Sequence, residues 1–379
     1  MILRFLPTLL CALTLADSAL PFSLHAQAPA VATPAPKPPE PKLDWYDVTQ
    51  WGVEGRAWTE MPRKRWFQRL PDAAEGKVTP AVWGLSQDSA GMLVRFKTDA
   101  TSVWAHFKLR SEKLGMPHMP ATGASGLDLY ARDDQGKWRW VNVTKTDKQE
   151  MKVAIISGLK PGLREYAAYL PLFNGPESLA IGVPEGAKFE GLAPRAEKPI
   201  VFYGTSITHG ACASRPGMVH TAILGRRFDR PVINLGFSGN GRMDAAVGEF
   251  LIQIDAAVFV IDCLPNMGPV DVRLKAPALM KQLRAARPET PILLVEDRRN
   301  TNSWILPARD QHHTDNHAAL REVYDALIKE GVKKLSYLAG DQLLGADADG
   351  TTDGSHPNDL GFMRQADAFE PALWQALGQ

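Results

Sequence analysis

The chain has 379 residues, of which 45% are hydrophobic and 22% charged, so its composition is that of a globular protein long enough for two domains. Lys and Arg total 43 against 42 Asp and Glu, and this balance gives no reason to expect a nucleic-acid or anionic-membrane partner. Three cysteines are too few for a disulfide framework, and the absence of a CxxC pair argues against a structural zinc site.

Residues 1–26 have the pattern of a secretory signal sequence. Arg4 supplies a positive charge near the start, an apolar stretch follows over residues 5–15, and Ala26-Gln27-Ala28 resembles a cleavage site. The apolar stretch is shorter than the ~20 residues that a membrane-spanning helix needs. We therefore expect export, to the periplasm or the medium, with no membrane association beyond that step.

Residues 27–42 are predicted to be a linker. Prolines at positions 29, 34, 36, 38, 39 and 41 favour an extended chain without regular hydrogen-bonded structure. The first folded element is expected near Trp45.

Residues 43–195 carry short apolar runs separated by turn signals such as Lys160-Pro161-Gly162. Strands are predicted at residues 92–97, 103–109, 127–130, 138–143, 152–156, 166–173 and 179–183. Many short strands at this spacing indicate an all-β domain, an antiparallel sandwich of the jelly-roll type.

Residues 196–379 show a different periodicity, in which buried strands alternate with helices. Strands are predicted at 200–204, 231–236, 256–263, 291–296 and 334–339, and helices at 218–228, 243–252, 270–286, 315–330 and 362–377. This order predicts an α/β domain with a doubly wound, parallel, five-stranded sheet of flavodoxin-like type. Ligands bind such sheets beyond the carboxyl ends of the strands, so reactive residues are expected directly after strands.

The first of these strands is followed by a tight turn that exposes the hydroxyl of Ser206. In the sequence Gly204-Thr205-Ser206, small residues bring the strand directly into a helix. A turn of this kind serves a nucleophile, a phosphate site or structure alone, and the segment by itself does not distinguish them.

The second and third strands also end in polar or glycine-rich segments. Gly236, Gly239 and Gly241 permit backbone conformations barred to other residues, and the Gly239 N–H is a candidate donor to a developing negative charge. Asn266 follows the third strand and offers two N–H donors. A flexible turn and an ordinary loop asparagine are the alternative interpretations.

Asp353 and His356 precede the last predicted helix and are three residues apart around Gly354. That spacing allows the carboxylate to orient the imidazole while the second ring nitrogen faces outward. The alternative is an Asp that caps the helix beside an unrelated histidine.

Taken together, the four segments GTSITHG, NLGFSGNG, LPN and DGSHPN resemble the sequence blocks of the SGNH (GDSL-type) hydrolases. The resemblance implies that Ser206 is the nucleophile and that Asp353 and His356 complete a catalytic triad. It also implies an oxyanion hole made by Ser206, Gly239 and Asn266. The reaction would be hydrolysis through an acyl-enzyme on Ser206, with no metal and no organic cofactor.

Two further features bear on this resemblance. Thr205 stands where the family usually has Asp, and residues 264–267 lack the family's Gly-x-Asn-Asp form. Residues 126–130 match the GxDLY motif of a sandwich domain that precedes some SGNH hydrolases, and the pair is similar to two-domain carbohydrate esterases. The resemblance implies that the substrate is an acylated small molecule or polysaccharide. Short acyl esters of carbohydrate, above all acetyl esters, are the foremost expectation.

Other functions compete with this prediction. His313 and His317 are spaced to share a helix face and to bind zinc in a metal hydrolase, although no HExxH pattern is present. A non-catalytic carbohydrate-binding protein on the same scaffold is a further alternative, although such a protein has no need of the complete Ser, Gly, Asn, Asp and His set. A lipase or thioesterase of the same family is another, although the sequence shows no long apolar segment that could form the lid of a lipase. Cys212 and Cys263 both follow predicted strands, which makes a disulfide conceivable but two free thiols the simpler expectation.

Overall fold

The computed structural model describes residues 40–378. The predicted signal sequence and nearly all of the predicted linker lie outside the described residues. From Pro41 onwards the chain is one compact unit. None of the helices within the described range combines the length and apolar content needed to cross a bilayer.

The strands fall into an N-terminal antiparallel group and a C-terminal parallel group. The first group is β1 (Leu43–Asp47), β2 (Leu93–Thr98), β3 (Ser102–Leu109), β4 (Asp128–Arg132), β5 (Trp138–Val143), β6 (Glu150–Ser157), β7 (Arg164–Tyr169), β8 (Pro176–Pro184) and β9 (Phe189–Leu192). The second group is β10 (Ile200–Gly204), β11 (Val232–Gly236), β12 (Val258–Asp262), β13 (Ile292–Val295) and β14 (Leu335–Leu338).

Most of the helices accompany the parallel strands. They are α1 (Pro80–Ser86), α2 (Ala121–Ala124), α3 (Ser206–His209), α4 (His220–Arg227), α5 (Ala245–Leu251), α6 (Pro269–Ala286), α7 (Pro307–Lys329) and α8 (Asp359–Leu377).

The N-terminal strands form two antiparallel sheets, ordered β1-β8-β3-β6 and β5-β4-β7-β2-β9. Alternate residues of β2 point inward, so that Val94 and Phe96 are fully buried and pack with Phe107 and Ile181 of the opposite sheet. The predicted β-sandwich is therefore confirmed.

The C-terminal strands form one parallel sheet in the order β11-β10-β12-β13-β14. Along β10, Val201 and Tyr203 pack in a core with α5, α6 and α7, whereas Ile200 and Phe202 pack on the other face with α4 and α8. Burial on both faces explains why β10, β12 and β13 are almost entirely apolar, whereas the edge strand β14 is only partly buried and contains Ser336. The doubly wound sheet is confirmed, and its topological switch point lies between the neighbouring strands β10 and β12.

Several element bounds differ from the predictions. Strands β1 and β9 and the short helices α1 and α2 were not predicted. Helix α7 begins at Pro307, eight residues before the predicted start, because proline is well suited to a first helical position even when polar residues follow it. Strand β7 ends at Tyr169 instead of residue 173, since Pro171 has no N–H to continue a sheet.

The segment between β1 and β2 contributes to two cores, since Val53 and Phe67 pack inside the sandwich while other residues pack against the parallel sheet. These other residues are apolar and buried, and they join the core that also contains Phe250 and Ile261: Ala57, Leu70, Ala74, Val78 and Val82. Residues that come early in the sequence thus support the face of the sheet beside the candidate site.

The GxDLY motif links the sandwich to the loop that follows α3. The buried Asp128 carboxylate accepts hydrogen bonds from Gly217 N at 2.8 Å, Arg215 Nη1 at 2.9 Å and Trp140 Nε1 at 2.9 Å. The Tyr130 hydroxyl accepts a further bond from Arg215 Nη1 at 2.5 Å. A buried, fully hydrogen-bonded carboxylate of this kind holds the two chain segments in one geometry.

Candidate active site

Ser206 lies at the carboxyl end of β10, as the first residue of α3. Thr205 caps this helix, since its Oγ1 accepts a hydrogen bond from Ile207 N at 3.3 Å, so threonine performs the capping that an Asp at this position would perform. Ser206 Oγ is 2.9 Å from His356 Nε2, although the two residues are 150 positions apart in the sequence.

The imidazole of His356 is held from its other side by Asp353. The distance from His356 Nδ1 to Asp353 Oδ2 is 2.7 Å, and Asp353 Oδ1 accepts bonds from the backbone N–H groups of Ser355 and His356 at 3.0 and 2.8 Å. Burial disfavours the charge of Asp353, but the hydrogen bonds from His356 outweigh it and lower the pKa of the carboxyl to about 2. Asp353 is therefore ionised over the whole physiological range.

The cap of α8 is Asn358 and not Asp353. Asn358 Oδ1 accepts a hydrogen bond from Gly361 N at 3.0 Å at the start of that helix. The helix-capping alternative for Asp353 is therefore wrong, and its carboxylate serves the imidazole instead.

The glycine-rich loop after β11 comes close to the Ser206 turn. A Cβ atom at Gly236 would lie 2.1 Å from His209 N, and one at Gly241 would lie 1.8 Å from Gly204 O, so neither position accommodates a side chain. Gly239 has φ +69°, which favours glycine, and its Cβ position faces open space. Gly239 is exposed, so a ligand can reach its backbone from solvent.

Asn266 ends a short 3₁₀ turn after β12 and is tied to the same loop. Its Nδ2 donates to Gly241 O at 3.4 Å, which leaves one of its two N–H bonds for another partner. The loops that follow β10, β11 and β12 thus meet at the switch point of the sheet. The structure brings Ser206, Gly239 and Asn266 to this one edge, as the order of the strands predicts.

A buried ion pair lies beneath these loops. Arg298 donates to both carboxylate oxygens of Asp262 at 2.6 Å, and Thr208 Oγ1 donates to Asp262 Oδ2 at 3.1 Å. Burial raises the pKa of Asp262, while the Arg298 charge acts against that rise. This pair was not predicted, although an acidic residue ending one apolar strand and the charged run 296–299 after the next strand were visible signals.

Arg69 supports the site from the segment between β1 and β2. Its fully buried guanidinium donates through Nη1 to the backbone oxygens of Asn234 at 3.2 Å and Gly236 at 2.7 Å, at the end of β11. Nothing in the local sequence distinguishes Arg69 from its neighbouring arginines, so this residue was missed.

The predicted histidine pair has internal partners in place of a metal. His313 Nδ1 lies 2.8 Å from Asp297 Oδ2, and its Nε2 accepts the Asn300 N–H at 3.2 Å. His317 Nε2 donates to the backbone oxygen of Asp297 at 2.7 Å. These contacts fasten α7 to the loop after β13. Cys212 and Cys263 are both buried and free, so the disulfide alternative is wrong.

A polar cavity of about 370 Å³ adjoins the site. It is lined by Pro265, Asp297, Asn300, Ala308, Arg309, His312, His313 and Ser355. Pro265 and Ser355 are the sequence neighbours of Asn266 and His356. A larger cavity of about 730 Å³ is lined by residues that precede the strands, among them Lys198, Ala257 and Pro291, and so lies at the opposite edge of the sheet.

An exposed aromatic side chain stands close to the same edge. Trp304 is 78% exposed, and its segment is tied to the turn of the Asp353–His356 pair by a hydrogen bond from Thr301 N to Gly354 O at 2.9 Å. An exposed indole is a flat apolar surface beside otherwise polar groups.

Comparison with known proteins gives two family matches along the chain. Residues 197–374 match the model of the GDSL-like lipase/acylhydrolase family. Residues 43–189 match the GxDLY model, described as the N-terminus of the SGNH-hydrolase type of esterase. No curated protein matches the chain.

Solved structures share the architecture. A GDSL-like lipase from Bacteroides ovatus is 32% identical with a TM-score of 0.84, over 89% of this chain and 98% of that chain. A salicylyl-acyltransferase from a tetracycline biosynthetic pathway is 20% identical with a TM-score of 0.68, over 90% and 96%. An acetyl xylan esterase from the rumen bacterium Butyrivibrio proteoclasticus is 10% identical with a TM-score of 0.52, over 89% and 99%. The last two likenesses concern the fold alone.

Proposed function

The chain belongs to the GDSL-like lipase/acylhydrolase family, and on this premise we propose that it is a serine esterase whose nucleophile is Ser206. The observation that carries the proposal is the continuous hydrogen-bonded line from Ser206 Oγ through the His356 ring to the Asp353 carboxylate, at 2.9 and 2.7 Å. A base within hydrogen-bond reach of the hydroxyl, itself oriented by a third group, is the arrangement that activates a serine.

In the first half-reaction, Ser206 Oγ attacks the ester carbonyl carbon while His356 Nε2 takes the hydroxyl proton. Asp353 stabilises the imidazolium that results. When the tetrahedral intermediate collapses, the bond to the leaving alcohol breaks, His356 returns the proton to that alcohol, and an acyl-Ser206 ester remains. Water then repeats the sequence, with His356 again as base, and releases the carboxylic acid and free Ser206.

The negative charge of each tetrahedral intermediate needs donors at the same edge of the sheet. We assign this role to the backbone N–H groups of Ser206 and Gly239 and to the side-chain amide of Asn266. The N–H of Ser206 is the first of its helix and has no intrahelical acceptor. Donors held in place before the reaction reorganise little as charge develops, and this is why they accelerate acyl transfer.

For the substrate we propose short acyl, foremost acetyl, esters of carbohydrate, met after export. Three observations support this choice. Six of the eight residues that line the cavity beside Asn266 and His356 are polar or charged, and such side chains suit hydroxyl groups better than a long acyl chain. Trp304 offers a flat surface for a sugar ring. Structures with the same fold include carbohydrate esterases.

The test is ester hydrolysis by the parent protein and by Ser206→Ala. The parent should cleave p-nitrophenyl acetate faster than the butyrate and octanoate esters, and should release acetate from acetylated xylan, mannan or pectin. Ser206→Ala should lose this turnover, whereas Ser238→Ala, which removes a half-buried hydroxyl from the neighbouring loop, should retain it.

Three results would each contradict a part of the proposal. Equal turnover by the parent and Ser206→Ala would remove the nucleophile assignment. A preference for long acyl chains would favour the lipase alternative, and binding of acetylated xylan without acetate release would favour a carbohydrate-binding protein.

A further inference from the structure

Four side chains of residue types that can bind metals come from three separate segments and converge beside Ser206. They are His118, from the turn before α2 in the sandwich half, Cys212, from the loop after α3, and Asp353 and His356. One ligand atom of each lies within 4.8 Å of the ligand atoms of the other three. Within residues 40–378 this is the one group of His, Cys, Asp and Glu side chains that converges so closely.

The donor set is selective for a particular kind of cation. One thiol, two imidazoles and one carboxylate make up the mixed sulfur, nitrogen and oxygen set that tetrahedral Zn²⁺ accepts, at ~2.0–2.3 Å from each ligand. Mg²⁺ and Ca²⁺ require six or more oxygen ligands, which this group does not supply. The chemistry therefore points to a borderline-soft divalent cation.

The chain holds His118 and Cys212 close to this position without a cation. His118 projects from a tight turn closed by two hydrogen bonds between Met116 and Met119, at 2.9 and 3.0 Å. Thr122 Oγ1, in the helix that follows this turn, donates to Ser214 O at 2.6 Å in the Cys212 loop. The sandwich half thus carries one ligand to the site and is bonded to the loop that carries another.

The site is open to solvent on the side of His118. His118 is exposed and can move toward a cation, while Cys212 is 6% exposed and faces the site from the protein side. Metal ions bind the thiolate form of cysteine, so the thiol proton of Cys212 is released to solvent when the cation binds.

We propose that His118, Cys212, Asp353 and His356 form a binding site for Zn²⁺ that reversibly inhibits the enzyme. A cation held there occupies the imidazole and the carboxylate that the proposed reaction needs for proton transfer from Ser206. Zn²⁺ and substrate turnover are then mutually exclusive. The binding part stands on the geometry of the four side chains, and the inhibition part rests also on the proposed function.

Binding is tested by calorimetry with zinc chloride on the purified protein. We expect one Zn²⁺ per chain, and affinities at least tenfold weaker for His118→Ala and Cys212→Ser, because the loss of even an indirect partner of a metal ligand costs ~10–100-fold. His106→Ala, an exposed histidine on β3, and Cys263→Ser, the other buried thiol, are the matched controls and should bind as the parent does. Equal affinity in the parent and both ligand variants would overturn the proposal.

A second measurement identifies the ligands directly and does not depend on activity. Co²⁺ in the same site should show a thiolate-to-metal absorption band that Cys212→Ser loses and Cys263→Ser keeps. Because His118 is exposed, His118→Ala should fold normally and gives a binding result even if Cys212→Ser is unstable. A cobalt spectrum without a thiolate band would show that Cys212 is not a ligand and would overturn the four-ligand site.

Inhibition is tested by titrating zinc into p-nitrophenyl acetate hydrolysis. The parent should be inhibited and recover on addition of a chelator. His118→Ala and Cys212→Ser, each measured against its own zinc-free rate, should need at least tenfold more zinc for the same fractional inhibition. Zinc bound at the site without loss of rate would overturn the inhibition. An inactive parent that still binds one Zn²⁺ through these residues would refute the proposed function and leave the binding site intact.

Discussion

The Asp353→Asn substitution tests the proposed mechanism most sharply. The amide oxygen that it introduces can still accept the N–H groups of Ser355 and His356, so the turn should keep its shape. The amide nitrogen then faces His356 Nδ1 and favours the tautomer with its proton on Nε2. That proton points at Ser206 Oγ, and the imidazole can no longer accept the hydroxyl proton.

The size of the effect follows from the exposure of the pair. For a fully buried triad the same change lowers kcat by ~10⁴ because the wrong tautomer is held in place. Here the Asp353 side chain is 38% exposed and that of His356 is 24% exposed, so water can stabilise the productive tautomer in part. We therefore expect a loss of about 10³ in kcat, which corresponds to about 4 kcal/mol of activation free energy.

The assay is steady-state hydrolysis of p-nitrophenyl acetate, together with a thermal melt to show that the fold is intact. Asp347→Asn is the matched control, since Asp347 lies in the same C-terminal loop region but pairs with Arg364 at 2.6 Å. It should leave kcat within about twofold of the parent, as expected for an exposed ion pair. If Asp353→Asn retained kcat within about tenfold of the parent, orientation of His356 by Asp353 would not be part of the mechanism.

Three further predictions concern one proposed oxyanion-hole donor and the buried charged side chains. Asn266→Ala should lower kcat by ~10²–10³ with little change in KM, and an unchanged kcat would remove Asn266 from the oxyanion hole. Arg298→Met should lower the free energy of unfolding by about 3–5 kcal/mol in denaturant titrations, because it leaves Asp262 buried and unpaired, and the double change with Asp262→Leu should recover much of the loss. Burial raises the pKa of Asp88 to about 6, although the charge of Arg110 opposes the rise. The protonated Asp88 therefore stabilises the fold fully below the unfolded-state pKa of about 3.9, and this stabilisation is lost as the pH rises through 6. The stability of the parent relative to Asp88→Asn should therefore fall between pH 4 and pH 7, and a difference independent of pH would contradict the raised pKa.

The parallel sheet was predictable because its strands are buried on both faces. A strand without a solvent face appears in the sequence as a short apolar run, and β10 was predicted with the same bounds that the structure shows. The sandwich strands at the two ends of the domain were harder to predict, because β1 and β9 contain no buried residue and so show little alternation of apolar and polar side chains. Helix α7 was predicted too short because its first turns carry mostly exposed polar side chains and no apolar face.

Local sequence also indicated the candidate site residues, because each follows a strand or precedes a helix where ligands of doubly wound sheets bind. Ser206, Gly239, Asn266 and the Asp353–His356 pair were all selected in this way. The signals that mark these residues are turns, helix caps and apolar strands formed by their neighbours in the sequence, so they can be recognised without the tertiary structure.

Tertiary structure alone decided which distant segments meet. It placed His356 against Ser206 across 150 positions, brought Arg69 under the end of β11, and paired Asp262 with Arg298. It also carried His118 from the sandwich half to the edge of the parallel sheet. Residue periodicity records which face of an element is buried but not which other element covers it, and for this reason the partners of these side chains emerge only from the packed chain.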